Sequence, residues 1–278
     1  MSDDVKTYAT TNKFESCSSE SQLGGSIYFG VKGEFVQTKN SFINSTASGF
    51  GQTFFIRVSE ISNYRNHVNE TVVYNCGSTE QGGSRFTTSM NNGFQIMNQC
   101  NITQNRVNID IGGYVTQKIT SDSYITCVNV IENNQSTGRF NFHSNPNQDS
   151  TSIFKVTSCN YIRNKSPNNG YLISFDYSNV SMVYCCIREN EIPFIFSAYE
   201  CTITFENSTT DSNTSDDSNS PIFKNTNISV ETDCPYIIST PINDENVYDR
   251  TSIKFSNLKF FQNSFALIPS LYSKKLSV

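Results

Sequence analysis

Residues 157–175 read Thr-Ser-Cys-Asn-Tyr-Ile-Arg-Asn-Lys-Ser-Pro-Asn-Asn-Gly-Tyr-Leu-Ile-Ser-Phe and contain the clearest copy of a unit that repeats along the chain. In this unit an apolar anchor, Tyr161, precedes Asn164 by three positions. Successive asparagines of the repeat lie 29, 30, 26, 35 and 38 residues apart, a period typical of stacked supersecondary units. The anchor and asparagine pairs are Ile102 and Asn105, Ile131 and Asn134, Tyr161 and Asn164, Ile187 and Asn190, Ile222 and Asn225, and Phe260 and Asn263.

Flanking positions indicate which side chains point inward. Residues two positions before each anchor share its direction in an extended strand, because side chains alternate between the two faces. These residues are Cys100, Asn129, Cys159, Cys185, Ser220 and Leu258. The residue just before each asparagine is always polar and is predicted to face water. These polar residues are Gln104, Asn133, Arg163, Glu189, Lys224 and Gln262.

Short strands that repeat about every 30 residues favour an all-β fold, a single right-handed parallel β-helix of about ten rungs over residues 14–270. Stacked rungs place equivalent side chains above one another, so we expect a column of cysteines inside and a column of asparagines at a corner. Asparagine tolerates the left-handed backbone conformation, so the repeated asparagines are predicted to be structural. Four second strands are predicted at residues 109–111, 140–142, 171–175 and 194–196.

Three further segments complete the predicted organisation. Residues 1–13 are polar and are expected to form a tail or a partial cap. Residues 206–221 are rich in Ser, Asp, Asn and Thr and are predicted to form a loop between rungs. Residues 271–278 are predicted to form a C-terminal tail. A final rung without a cap would expose strand edges, so end-to-end self-association is possible.

Composition agrees with a thin solenoid and excludes some partners. Hydrophobic residues are only 36% of the 278, whereas the chain has 34 Asn and 39 Ser, and a solenoid needs little interior. Charged residues make up 16% and the net charge is −5, without a basic stripe, so nucleic acid is an unexpected partner. The sequence has no signal peptide pattern and no 18-residue apolar run, so this chain is expected not to span a membrane, and its localisation is unknown.

Two motifs resemble a known family of repeats. Gly24-Gly25-Ser26-Ile27 and Phe260-Phe261-Gln262-Asn263 are similar to the GGxI and FxxN repeats of chlamydial polymorphic membrane proteins and related surface proteins. The resemblance implies a parallel β-helix and, by analogy, a location at the cell surface or outside the cell. The autotransporter-like C-terminal barrel of that family is absent from this sequence.

The pattern of the nine cysteines allows two interpretations. They occur at positions 17, 76, 100, 127, 159, 185, 186, 201 and 234, and none forms a CxxC motif, which argues against zinc or redox chemistry. Buried free thiols that act as small apolar groups are one interpretation, and disulfides between neighbouring rungs are the other. No cofactor and no metal site is predicted.

The motifs that would identify an enzyme are missing. Polysaccharide lyases and hydrolases with this fold are the competing class, and they need paired ionisable groups. Adjacent acids occur at residues 3–4 and 216–217, in the predicted tail and loop, and His67 and His143 lie in polar segments. His143 is predicted to point to solvent. No catalytic residue is therefore assigned.

Aromatic residues offer a surface for binding. Strict alternation in Phe54-Phe55, Phe194-Ile195-Phe196 and Phe260-Phe261 places one ring of each set outside, whereas bends at the corners would turn both rings inward. The sequence favours a non-catalytic surface or interaction protein that binds protein or glycan partners through its lateral face, mainly residues 98–196. The alternative is a degenerate or unrecognised polysaccharide lyase or hydrolase.

Overall fold

A computed structural model describes residues 5–20, 23–59, 64–78, 85–120, 122–145, 153–217, 220–229 and 234. The chain divides into residues 1–232 and residues 233–278, and in the second unit only Cys234 is described. All regular structure in the described residues is β-strand. A search of these residues found no helix with the length and apolar character needed to cross a membrane.

With one exception, strands that follow one another in sequence belong to different sheets, and strands pair in parallel with their equivalents one turn later. The first sheet contains β1 (Val5–Thr10), β5 (Gly33–Thr38), β9 (Arg65–Asn69), β12 (Phe94–Asn98), β16 (Tyr124–Thr126), β19 (Ile153–Thr157), β22 (Asn179–Val183), β25 (Ile203–Glu206) and β27 (Ile222–Lys224). The second contains β2 (Lys13–Glu15), β6 (Ser41–Ile43), β10 (Val72–Tyr74), β13 (Asn101–Thr103), β17 (Asn129–Ile131), β20 (Asn160–Ile162), β23 (Cys186–Arg188), β26 (Thr209–Thr210) and β28 (Asn227–Ile228).

The third sheet completes each turn. It contains β4 (Ile27–Phe29), β8 (Phe54–Arg57), β11 (Thr88–Asn91), β15 (Tyr114–Gln117), β18 (Asn134–Ser144), β21 (Asn168–Asp176) and β24 (Phe194–Tyr199). The third sheet also includes β14 (Arg106–Ile109), which pairs with β18. Two short strands, β3 (Ser18–Ser19) and β7 (Thr46–Ala47), pair with each other in a separate two-stranded sheet. The predicted parallel β-solenoid is therefore confirmed. The described residues form nine strands in each longer sheet, so the rung count differs slightly from the predicted ten.

One inward column of the second sheet shows how the core is built. Its side chains are at most 1% exposed, and each lies opposite its equivalent in the next strand. The column consists of Phe42, Val73, Ile102, Val130, Tyr161 and Ile187. The one polar atom that the tyrosine brings into this core is satisfied, because the Tyr161 hydroxyl lies 2.7 Å from the Tyr114 hydroxyl.

The cysteine column is confirmed at three positions. Cys100, Cys159 and Cys185 are buried free thiols two positions before their anchors. Burial raises the pKa of the Cys100 thiol to about 12, so it stays protonated and behaves as a small apolar group. In the intervening rung this position is held by Val128, which is fully buried, and not by Asn129 as predicted.

Three buried asparagines and one half-buried asparagine form a continuous ladder at the corner that follows the second sheet. Each amide oxygen accepts from the backbone N–H and the side-chain amide of the preceding asparagine in the ladder, at 2.8–3.1 Å. The ladder consists of Asn105, Asn133, Asn164 and Asn190, and Cys76 donates its backbone N–H to the first. The predicted structural role is confirmed for Asn105, Asn164 and Asn190, because each amide oxygen accepts from a backbone N–H at the corner.

The predicted register is wrong by one residue in a single rung. Val130, not Ile131, lies opposite Ile102 and Tyr161, and Asn133, not Asn134, belongs to the ladder. Asn133 is fully buried although it was predicted to face water, whereas Asn134 is exposed. The chain contains both Val130-Ile131 and Asn133-Asn134, so the spacing of three residues fits either choice.

The left-handed residue is the one before each ladder asparagine, not the asparagine itself as predicted. Gln104, Glu132, Arg163 and Glu189 have φ values between 52° and 57°. This conformation costs a residue with a Cβ roughly 1–2 kcal/mol, which the hydrogen bonds of the ladder offset. It also directs the four side chains outward, where all are exposed.

Other differences concern the ends of the repeat. Ile222 lies in the first sheet, 45% exposed, and does not form an anchor of the second sheet. Of the predicted second strands, residues 109–111 begin at the last residue of β14 and continue into the left-handed Asp110 and Ile111, whereas the other three lie within β18, β21 and β24. Val5–Thr10 pairs with β5 inside the predicted tail. The predicted pair Phe260 and Asn263 lies outside the described residues.

Candidate binding groove

Two outward columns flank the asparagine ladder and supply the polar side chains of this corner. The first column contains the left-handed residues just before the ladder positions, and the second contains the residues just after them. Arg106 pairs with Asn134, and Asn134 pairs with Lys165, so the second column crosses three adjacent levels in register. The ladder therefore fixes the positions of the two outward columns along the solenoid axis.

Between the two columns lies a groove with a volume of about 380 Å³, which we call the corner groove. Its floor is the ladder residue Asn133, and its walls are polar. The lining residues are Asn75, Gln104, Arg106, Glu132, Asn133, Asn134, Arg163 and Lys165. The volume is in the range of small-molecule sites, and the lining offers amides and charges without an apolar patch.

A hydrogen-bonded chain fixes the first wall. Arg163 donates from Nε to Glu132 Oε1 at 2.9 Å, and its Nη2 lies 2.8 Å from the same oxygen. Gln104 donates from Nε2 to Glu132 Oε2 at 3.0 Å. The pKa of Glu132 is lowered by the Gln104 hydrogen bond and by Arg163, so the carboxylate stays charged with both oxygens engaged.

The second wall carries two cations with different surroundings. Lys165 Nζ lies 2.7 Å from Glu191 Oε1, and both side chains are more than half exposed, so this ion pair is weak. Arg106 is exposed and makes no ion pair or side-chain hydrogen bond with any described residue. The lining thus contains three cations and one carboxylate, and Arg106 is the cation without an ion-pair partner in the described part of the chain.

This arrangement suits binding better than catalysis. A general acid or base needs an ionisable group whose pKa lies near neutral pH. Glu132 is held charged by its neighbours, and the remaining lining groups are amides, guanidinium groups and an ammonium group. Among the described residues, no group of three or more His, Cys, Asp or Glu side chains could hold a metal ion.

His143 is the clearest error among the predicted surface residues. It is fully buried, with its ring stacked on Phe175 at 4.3 Å between centroids and its Nδ1 2.6 Å from Thr116 Oγ1. Burial lowers its pKa to about 3, so the ring is neutral in the core. His67 lies in the first sheet, where burial lowers its pKa to about 4.

The two described aromatic sets follow alternation to different degrees. Phe54 lies in the core, whereas the Phe55 ring stacks on the exposed Tyr28, with ring centroids 6.1 Å apart, so surface side chains account for its low exposure. Ile195 and Phe196 both lie in the core, which leaves Phe194 partly exposed and stacked on Tyr171 at 5.6 Å between centroids. Alternation therefore holds in the first set, and in the second set two successive side chains face inward.

A second cluster of ionisable groups lies on the third sheet. Arg139 covers the ring of Phe142, with Cζ 4.0 Å from its centroid, and its Nη1 lies 3.1 Å from Asp176 Oδ2. Burial raises the pKa of Asp176, and the nearby Asp216 carboxylate acts in the same direction. Ser197 Oγ donates to Asp216 Oδ2 at 3.0 Å.

The sequence placed the predicted function on residues 98–196 and predicted that Gln104 and Arg163 face water, but no groove residue was assigned to a binding site. Once the register is corrected, the residues that directly follow the ladder asparagines are Arg106, Asn134, Lys165 and Glu191. The sequence position after each ladder asparagine could therefore have predicted the residues of the second wall. Comparisons with protein-family models, with curated proteins and with solved structures found no match for this chain.

Proposed function

We propose that this protein is a non-catalytic interaction protein, and that its corner groove binds an acidic partner on the lateral face of the solenoid. The observation that carries the proposal is Arg106, an exposed cation that has no ion-pair partner among the described residues and lies in a groove lined by amides and charged side chains. Amides bind hydroxyl and peptide groups, and a guanidinium group binds carboxylate or sulfate through two parallel hydrogen bonds. The resemblance to repeat proteins of cell surfaces agrees with such a role by analogy.

Binding to a panel of acidic and neutral probes tests the proposal. Arg106→Glu should abolish capture of acidic polysaccharides or acidic peptides, measured by biolayer interferometry, and added salt should weaken capture by the unchanged protein. Lys155→Glu is the matched control, since Lys155 is an exposed cation on the first sheet and the change in net charge is the same. Equal loss in both variants would show that net charge, not the groove, determines binding.

The alternative is a polysaccharide lyase or hydrolase, and the cluster on the third sheet is the observation that favours it. Asp176 has a raised pKa and lies beside Arg139 and near Asp216, so two carboxyl groups and a cation share one face. A carboxyl group with a raised pKa is a candidate proton donor. Turnover of a polysaccharide that disappears in Asp176→Asn would replace the binding proposal with this one.

A further inference from the structure

The corner groove has a repeat along the solenoid axis. Its levels are separated by the strand spacing of about 4.8 Å, so Arg106 and Lys165, two levels apart, are separated by about 10 Å along the axis. Asn134 occupies the level between them. A sugar ring in an extended polysaccharide is about as long as one such level, so a chain parallel to the axis would place one sugar at each level.

The charges along the groove alternate from level to level. Arg106 stands on the first level, the pair Asn134 and Glu132 on the second, and Lys165 with Arg163 on the third. An anionic group is therefore favoured beside Arg106 on the first level and beside Lys165 on the third level, because the exposed ion pair between Lys165 and Glu191 is weak and can be exchanged for a ligand. On the second level it would meet the Glu132 carboxylate, whose oxygens already accept hydrogen bonds from Arg163 and Gln104.

We infer that the ligand of the corner groove is a linear acidic polysaccharide with one anionic group on every second sugar, bound parallel to the solenoid axis. This inference rests on the proposed function and adds the ligand class and its direction. The anionic sugars contact Arg106 and Lys165, and the neutral sugar between them contacts the amide of Asn134. A polymer with a carboxylate on every sugar is disfavoured, because its middle carboxylate would face Glu132.

The experiment compares two polymers that differ in this spacing. Hyaluronan has one carboxylate per two sugars, polygalacturonate has one per sugar, and binding of size-matched oligosaccharides of both is measured by isothermal titration calorimetry. We expect hyaluronan oligosaccharides to bind more tightly. Arg106→Gln should weaken their binding about tenfold, since it removes one charge-assisted contact. The control Lys155→Gln should leave it unchanged.

Glu132→Gln provides the decisive variant, because it removes the carboxylate and keeps the shape of the side chain. We expect its affinity for polygalacturonate to rise several-fold more than its affinity for hyaluronan. Equal affinities of the unchanged protein for both polymers, or equal gains in Glu132→Gln, would overturn the inference. If acidic peptides bind in an Arg106-dependent way and neither polysaccharide does, the inference fails and the proposed function stands; if no acidic probe depends on Arg106, both fail.

Discussion

Replacing Asn133 by alanine would interrupt the asparagine ladder at its centre. The Asn133 side chain takes part in four hydrogen bonds: it accepts two from Asn105, and it donates to the carbonyl oxygen of Ile102 and to Asn164 Oδ1. Their lengths are 2.8–3.1 Å, and the side chain is fully buried. Alanine would leave a buried backbone N–H and a buried carbonyl without these partners.

The loss of stability in Asn133→Ala follows from the broken hydrogen bonds and the buried backbone groups left without partners. Each lost hydrogen bond contributes about 1 kcal/mol, and an unsatisfied buried group costs more, so Asn133→Ala should lower the free energy of unfolding by about 4 kcal/mol. At about 2–4 °C per kcal/mol for a domain of this size, the melting temperature should fall by about 10 °C. A thermal melt followed by far-UV circular dichroism measures this directly.

Asn134→Ala is the matched control, with the same substitution at the next position. Asn134 is exposed, and its side chain makes no hydrogen bond with any described residue, so its replacement should change the free energy of unfolding by less than about 0.5 kcal/mol. Equal melting temperatures for the two variants would refute the ladder as a source of stability. A larger loss in Asn134→Ala would show that the register of this rung is the other one.

Three further predictions concern the core and the chemistry. Val130→Asp would bury an unpaired charge in the central column and should lower the free energy of unfolding by about 3 kcal/mol or more, whereas Glu132→Lys, at an exposed position, should lower it far less. Urea denaturation of both variants measures the difference, and similar midpoints would contradict the assigned column. The pKa of His143 is lowered from 6.5 to about 3, so the unfolded chain binds the proton more readily, and stability is lost as pH falls from 6.5 towards 3. Melting temperatures across this range should fall less steeply for His143→Phe, and parallel curves would be the contrary result. Purified protein should not cleave pectins, alginate or host glycans, and cleavage that Asp176→Asn abolishes would be evidence for an enzyme.

The sequence predicted the architecture because the solenoid depends on repetition. Tyr161 and Asn164 mark one rung without ambiguity, and the same spacing recurs at Ile102 and Ile187, whose inward positions are confirmed. The doublet at Asn133 and Asn134 could not be resolved in this way. Only the neighbouring rungs decide which of the two amides meets Asn105.

The candidate groove depends on which residues of successive turns lie opposite each other. The sequence of a single repeat does not contain this information. Arg106 and Lys165 are distant in sequence, and they share a column only because Asn134 pairs with both. The environment of His143 arises similarly, from the pairing that brings Thr116 and Phe175 to neighbouring strands. The residues that flank it in sequence, Phe142 and Ser144, do not show by themselves that His143 is buried.

The asparagine ladder also makes the length of the protein adjustable. Each internal level offers its neighbours the same donors on one side and the same acceptor on the other, and the ladder residues lie 28, 31 and 26 positions apart. Loss or duplication of a complete turn would join surfaces that already match, although the turns differ in loop length. Such events during evolution would shorten or extend the corner groove by whole levels, so the size of the ligand bound there could change while the architecture of every remaining turn is kept.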